Sequence, residues 1–180
     1  MRSPIAVRRE RAAYQRAFEQ MTGAQEEIVR ADGPAGRARV LREFAGAARE
    51  CAVNSGACRA VPLRAGSGRC MWTDAAVLAE AAAYSEQWLA EGRLEGTLPG
   101  GSADFGGRAE RDAWVRVFSA TGAADRRRAY LDLAVAAEQR TNTATVSVLR
   151  VLSRAYLAQM PYPGEDDEPQ VAVIGPRAVS

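Results

Sequence analysis

Alanine constrains this chain more than any other feature of its sequence, because 37 of the 180 residues are alanine and only 12 are aromatic. An alanine side chain is a single methyl group, so a core made largely of alanine requires closely packed backbones with a few large side chains as anchors. Alanine also has the highest helix propensity. The composition therefore predicts an all-α protein, long enough to bury the core of one domain.

The spacing of the other apolar residues divides the chain into helices and breaks. In the first segment the residues at helical spacing are Tyr14, Ala17, Phe18, Met21 and Ile28. Stretches rich in glycine predict loops over residues 54–72 and 96–107. The predicted helices are the first 32 residues, 32 to about 54, 73 to about 92, 108–121, 123–140, and a last helix from Thr141 or Thr143 to Met160.

Polar residues that precede these segments are expected to cap them. Ser3, followed by Pro4, suits the start of the first helix, and Asp32 suits the start of the second. The third helix is expected to begin with Thr73 or Asp74 as its cap.

We therefore expect a single-domain bundle of five or six helices, arranged as paired helical hairpins because the connections are short. This helical domain is expected to span residues 1–160. Residues 161–180 are expected to form an extended, acidic tail that contains prolines and is either disordered or docked on another surface. Within the tail, Val171–Gly175 could form a short strand or a docking peptide.

The chain has no histidine, and all 24 of its basic residues are arginine, so lysine is absent as well. This removes histidine-based triads and zinc sites, the phosphate-binding lysine of P-loops and Schiff-base chemistry. Glu26 and Glu27 point in different directions on a helix, and Asp166–Glu168 lie in a segment with no core around it. We therefore expect a protein that is not an enzyme and that takes no cofactor, metal or small-molecule substrate.

The three cysteines are the only soft nucleophiles. Cys58 and Cys70 lie in a predicted loop beside Arg59 and Arg69, and neighbouring guanidinium charge lowers the pKa of a thiol. These two cysteines are therefore redox candidates, as reactive thiols or as a disulfide, and the alternative is a pair of ordinary loop thiols. Cys51 is expected in the core.

The last helix is apolar around most of its circumference. A helix of this kind either lies at the centre of a bundle or buries a second face against a partner. The residues that would bind a protein partner or a second copy of the chain are Val148, Val151, Leu152, Tyr156 and Met160.

Arginines suggest a second kind of binding. Arg126, Arg127 and Arg128 fall in the first turns of a predicted helix, where cations interact unfavourably with the helix dipole. Such a run indicates an anion site, because helix N-termini and arginines both suit phosphate. Together with Arg39 and Arg42 it predicts a site for nucleic acid or another anion.

Charge is distributed unevenly along the chain. Residues 1–64 carry 12 arginines and 7 acidic residues, whereas residues 161–180 carry one arginine and four acidic residues. The simpler interpretation is a surface whose charges compensate one another. The more specific interpretation is that the acidic tail, or a partner, binds a basic face of the protein.

These observations predict a cytoplasmic, non-catalytic helical adaptor, assembly or regulatory protein that acts through protein–protein contact. An arginine-based regulator that binds nucleic acid is the first alternative. The second is a leaderless secreted effector that acts on a host protein, since a surface without lysine offers no side chain for ubiquitin-type conjugation. Codon bias or an overlapping reading frame would also explain the missing lysines. No segment has the roughly 18–20 consecutive apolar residues of a membrane-spanning helix.

Overall fold

Six α-helices make up 83% of the residues that the structure describes, and no strand occurs among those residues. The structure is a computed structural model, and it describes residues 3–55, 71–93, 106–141 and 143–160. The helices are α1 (Pro4–Arg30), α2 (Gly33–Asn54), α3 (Met71–Ala90), α4 (Arg108–Ser119), α5 (Ala123–Glu138) and α6 (Ser147–Leu157). The prediction of an all-α bundle is therefore confirmed.

The first two helices form an antiparallel hairpin. Gly33 begins α2 with a φ angle of +63°, a conformation that glycine adopts without strain. Near this turn Arg39 Nη2 lies 2.9 Å from Glu27 Oε1. At the other end Cys51 Sγ lies 4.0 Å from the carbonyl oxygen of Tyr14. These two contacts fix the antiparallel direction that the short connection predicts.

Several helix boundaries differ in detail from the prediction. Ser3 and Asp32 precede α1 and α2 as expected, but neither side chain makes a capping hydrogen bond. Helix α3 begins at Met71, so Asp74 lies in its first turn instead of at its cap. The last helix begins at Ser147, because residues 143–146 form turns.

Helices α2 and α3 form the most extensive helix pair of the bundle, and many of their buried residues are alanine. Ala45 and Ala48 of α2 and Ala75, Ala79 and Ala82 of α3 are fully buried. Small side chains let the two backbones approach closely, and dispersion between many atoms stabilises the contact. Large aromatic anchors in the core include Phe44, Trp114, Phe118 and Tyr130.

The last helix, α6, packs against α1, α3 and α5. Four of the five residues predicted to bind a partner, Val148, Val151, Leu152 and Tyr156, are buried in the core of this same chain, and Met160 is half-buried. A helix this apolar is expected either at the centre of the bundle or against a partner, and the structure places it among the other helices of the bundle. Neighbouring helices of this chain cover the four buried residues, so a partner does not reach them in this conformation, and binding through Met160 stays a prediction.

The predicted tail, residues 161–180, lies outside the described residues. In the part of the chain that the structure does describe, no helix is both long enough and apolar enough to cross a membrane.

Candidate functional site

A network of charged and hydroxyl side chains lies inside the bundle, enclosed by helices. Its carboxylate is Glu86 of α3, and its guanidinium groups are Arg37 of α2 and Arg126 of α5. We call it the Glu86 cluster, and its members are Arg37, Ser85, Glu86, Arg126, Tyr130 and Tyr156. None of the six is more than 2% exposed.

Both oxygens of the Glu86 carboxylate accept hydrogen bonds, and the donors come from three helices. At Oε1, Tyr130 OH donates at 2.7 Å and Arg126 Nη2 at 3.1 Å. At Oε2, Arg37 Nε donates at 2.8 Å. The Tyr156 hydroxyl lies 2.7 Å from Oε2 and 2.9 Å from Oε1, and donates its proton to this carboxylate. The acceptor capacity of Glu86 is therefore filled.

The two guanidinium groups make further contacts that fix their orientation. Arg37 Nη2 donates to the Tyr156 hydroxyl at 3.0 Å. Arg126 Nη2 donates to Ser85 Oγ at 2.5 Å, and its Nη1 donates to the carbonyl oxygen of Ala120 at 2.8 Å. Because Ala120 follows the end of α4, Arg126 ties the connection between α4 and α5 to α3.

The Glu86 cluster contains two positive charges and one negative charge. Aromatic ring faces add to the stabilisation of the cations, since Arg37 Cζ lies 4.5 Å and Arg126 Cζ 5.6 Å from the centroid of the Tyr156 ring. Burial alone would lower the pKa of Arg126, but the Tyr130 phenol oxygen and the Glu86 carboxylate outweigh burial and raise that pKa. Burial, followed by the charge of Glu86, raises the pKa of both tyrosines. At neutral pH the arginines are therefore charged and the tyrosines protonated.

Sequence reasoning did not identify Glu86 and Arg37 as members of one cluster. The available signal is that each continues an apolar stripe: Arg37 lies four residues before Leu41, and Glu86 lies four residues after Ala82. A charge on a buried stripe needs a partner of opposite charge. The stripes indicate that both residues are buried, but 49 residues separate them along the chain, so no local pattern shows that they meet.

Arg126, Arg127 and Arg128, which the sequence predicts as an anion or nucleic-acid site, have different environments in the structure. Arg126 is buried, and the anion it contacts is the Glu86 carboxylate of this same chain. The predicted role of Arg126 in nucleic-acid binding is therefore corrected, because its side chain cannot reach an external phosphate. Arg127 is half-buried and Arg128 is exposed.

The other two predicted anion-binding arginines have partners within the chain. Arg39 forms exposed ion pairs with Glu27 at 2.9 Å and with Glu43 at 2.7 Å. Arg42 donates a hydrogen bond to the side chain of Gln87 on α3. Both arginines are exposed, and an external anion would have to compete with these contacts.

Cys51 is buried, as the sequence predicts, and burial followed by the charge of Glu50 raises the pKa of its thiol to about 11. A thiol with this pKa is protonated at neutral pH and is a weak nucleophile. The redox candidates Cys58 and Cys70 lie outside the described residues.

A second ion cluster joins the ends of three helices, and we call it the Arg140 cluster. Arg140, just after α5, forms two hydrogen bonds to Glu110, from Nε at 3.0 Å and from Nη2 at 2.9 Å. Its Nη1 lies 3.3 Å from Asp74 Oδ2. Glu110 lies in the first turn of α4 and Asp74 in the first turn of α3. The Arg140 side chain is 33% exposed, so this cluster opens to solvent.

Neither cluster has the form of a metal centre. Among the described residues, no group of three or more histidine, cysteine or acidic side chains could hold a metal ion. The Glu86 carboxylate is enclosed, so no substrate reaches it in this conformation.

A further candidate site is on the surface, on one side of the N-terminal half of α1. Val7, Arg11, Tyr14 and Phe18 recur every three or four residues, so they share one side of the helix. Val7 is 49% exposed and Phe18 is 43% exposed. The Phe18 ring lies 6.2 Å from the Tyr14 ring and 5.9 Å from that of Trp72 on α3. We define the α1 face as Val7, Arg8, Arg11, Tyr14, Phe18 and Trp72.

Some exposed arginines of the bundle pair with an acidic side chain and others do not, and the arginines of the α1 face belong to the second group. Arg8 and Arg11 are exposed and pair with no acidic side chain among the described residues, whereas Arg39, Arg49 and Arg116 each pair with one. The α1 face therefore combines exposed apolar side chains with positive charge that no acidic side chain of the described residues pairs with.

No family model matches this chain, and no curated protein and no solved structure is significantly similar to it. Its function must therefore be inferred from its own residues.

Proposed function

We propose that this protein is a non-catalytic binding protein that holds an acidic, apolar protein segment on its α1 face. The observation that carries the proposal is the combination, on one side of α1, of half-exposed apolar side chains with arginines that no described acidic residue neutralises. Aromatic residues and arginine are the types most enriched at the energetic centres of protein interfaces.

The aromatic side chains of the α1 face support this role. Phe18 packs against Tyr14 and against Trp72, which is itself 7% exposed. Its ring is thus held by neighbours while nearly half of its surface remains in contact with water. A preorganised apolar side chain loses little conformational entropy when a partner covers it, and that favours binding.

The arginines define the chemistry of the partner. Arg8 and Arg11 follow Val7 in the first turns of the helix, so a complementary segment has carboxylates near this end. Apolar side chains of the segment would cover Phe18 and Tyr14. Complementary charges of this kind speed association and select against basic partners.

A photo-cross-linking residue placed at position 18 tests the proposal in the source cell. The matched control carries the same residue at Val135, an apolar position of α5 that is 59% exposed. We expect a protein adduct that forms from position 18 and not from position 135. The adduct partner is then purified and titrated with the wild-type chain and with two double variants.

The first variant, Arg11→Glu with Phe18→Ser, is expected to weaken binding at least tenfold. The control, Arg128→Glu with Val135→Ser, makes the same changes on α5 and is expected to leave the affinity unchanged. The absence of a protein adduct specific to position 18 contradicts the proposal. Binding of mixed-sequence duplex DNA that falls steeply with salt and is lost in Arg8→Glu/Arg11→Glu would instead support the nucleic-acid alternative.

A further inference from the structure

We propose that the segment bound by the α1 face is an acidic, amphipathic α-helix of another protein, packed lengthwise against the first half of α1 as in a two-stranded coiled coil. This inference rests on the proposed function and names the class of its partner. It depends on a repeated pattern of α1 that the bundle buries in the second half of the helix and leaves partly exposed in the first half.

The pattern consists of residues at alternating spacings of four and three, which are the spacings of the contact positions in a coiled coil. In the first half of α1 these positions are Val7, Arg11, Tyr14 and Phe18. A second helix that lies along such a stripe meets it with side chains at the same spacings. From Val7 to Phe18 the stripe is about 17 Å long, because a helix rises about 1.5 Å per residue.

The second half of α1 shows how a helix covers the same pattern. Met21 and Ile28 continue the spacing and are buried in the bundle. Gln25, which lies two heptads after Arg11, donates a hydrogen bond from Nε2 to Ser147 Oγ of α6 at 2.8 Å. A neighbouring helix of this chain therefore supplies the group that pairs with the polar residue of the pattern.

The equivalent polar residue in the first half sets the chemistry of the partner. It is Arg11, which is exposed and pairs with no acidic side chain among the described residues. Arg8 lies one turn earlier beside the same stripe, so carboxylates on one face of a partner helix can meet both guanidinium groups. A charged residue at a contact position favours a partner with the opposite charge there and disfavours others.

An extended segment fits the α1 face less well than a helix. When an extended segment docks, its backbone N–H and C=O groups pair with a strand edge, but the residues that the structure describes contain no strand. A helix satisfies its own backbone groups. It therefore covers the rings of Tyr14 and Phe18 without burying unpaired backbone groups.

Charge favours another protein over the same half of α1 from a second copy. Residues 4–18 contain four arginines and a single acidic residue, Glu10. Two such halves packed against each other would bring like charges together, and that opposes association.

Cross-linking from two positions of α1 measures the conformation of the bound segment. A photo-cross-linking residue is placed at position 7 in one full-length variant and at position 18 in another, and both are expressed in the source cell. Mass spectrometry then identifies the partner residue joined in each adduct. A helical segment spans the distance between the two positions with about 11 residues, whereas an extended segment spans it with about 5.

We expect both adducts to fall in one segment of one other protein, at residues about 11 apart. Residues about 5 apart overturn the inference and leave the proposed function standing. Adducts to a second copy of this chain, or to two unconnected segments, also overturn the inference. The absence of a protein adduct from position 18 contradicts both the inference and the proposed function.

A synthetic peptide tests the chemistry on the purified chain. The probe is three heptads long, with leucine at the contact positions and glutamate at the flanking positions, so that its own charge keeps it from pairing with itself. We expect binding that is at least tenfold weaker for Arg8→Glu/Arg11→Glu and unchanged for Arg111→Glu/Arg128→Glu, a control that reverses two exposed arginines on α4 and α5. Circular dichroism checks that both variants are folded.

A second peptide of the same composition, with its leucine spacing scrambled, is expected to bind at least tenfold more weakly than the first. Equal binding of the two peptides, or no binding of either, overturns the inference.

Discussion

The Glu86 cluster and the Arg140 cluster use the same residue types in opposite ways. The Glu86 cluster places two arginines around one carboxylate and has no member more than 2% exposed. The Arg140 cluster places two carboxylates around one arginine whose side chain is 33% exposed. Each cluster includes one carboxylate of α3, because Asp74 lies in the first turn of this helix and Glu86 lies near its C-terminus.

The two clusters differ most in how they relate to helix ends. Asp74 and Glu110 lie in first turns and Arg140 follows a C-terminus, so all three charges interact favourably with helix dipoles. In the Glu86 cluster, Arg126 lies in the first turn of α5, where a cation is unfavourable. Interactions with the dipoles of their own helices therefore stabilise the charges of the Arg140 cluster. The Glu86 cluster lacks this local stabilisation at Arg126 and depends on the packing of separate helices.

The largest expected effect is that of Glu86→Gln. The change keeps the shape of the side chain but leaves Arg37 and Arg126 buried without a carboxylate. We expect the free energy of unfolding to fall by about 3–5 kcal/mol, as when one partner of a buried ion pair is removed. Urea denaturation measures the loss.

Glu80→Gln is the control for this prediction. Glu80 pairs with Arg49 on the surface of α3, and both side chains are more than a third exposed. An exposed pair of this kind contributes only about 0–1 kcal/mol. If the two variants lose equal stability, the enclosed cluster is no more important than an ordinary surface pair.

A smaller loss is expected from Gly106→Ala at the Arg140 cluster. A Cβ atom at this position would overlap the Glu110 carboxylate, and the φ angle of Gly106 is +32°. We expect a loss of about 1–3 kcal/mol, because Glu110 must move away from Arg140 or the backbone must shift. At Gly107 a Cβ atom meets nothing within 4 Å, so Gly107→Ala should have little effect in the same thermal unfolding measurement.

Arg140→Gln should lower the free energy of unfolding by a still smaller amount, about 1–2 kcal/mol, because water reaches this cluster and partly compensates for the lost cation.

The dependence of stability on salt should also distinguish the two clusters. Added sodium chloride at 1 M should reduce the difference between Arg140→Gln and the wild type, since partly exposed charges are screened. The loss caused by Glu86→Gln should stay nearly constant, and an equal salt dependence for both variants would contradict the difference in solvent access.

Of the two clusters, only the Glu86 cluster contains tyrosines, so alkaline pH should distinguish it from the Arg140 cluster, whereas neutral pH should not. Tyr130 and Tyr156 have a pKa raised by burial in the folded chain, whereas unfolded tyrosine ionises near pH 10. The unfolded state therefore releases these protons first as the pH rises, and stability should fall above about pH 10. Tyr130→Phe should flatten this decline.

The measurement is a series of urea denaturation curves between pH 8 and pH 12. Cys51→Ala serves as the background, because burial raises the pKa of that thiol to about 11 and its ionisation would otherwise overlap. A decline that is equally steep with and without the Tyr130 hydroxyl would show that this tyrosine does not ionise on unfolding.

Much of the fold could be predicted from the sequence. The alanine content and the apolar spacing gave an all-α bundle, the hairpin of α1 and α2, and a last helix too apolar for a surface. The helix starts were less accurate, at Met71 and Ser147, because capping patterns are short and compete with packing. Four of the predicted partner residues of α6 are buried within the chain for a related reason, since an apolar stripe that packs against a neighbouring helix has the same sequence pattern as one that packs against another molecule.

The sequence by itself determined where helices form, because propensity, helical spacing and charge at helix ends act within a few residues. Only the tertiary structure decided that Glu86 meets Arg37 and Arg126, which are 49 and 40 residues away. That choice depends on how four helices pack, and no interaction between near neighbours in the sequence specifies it.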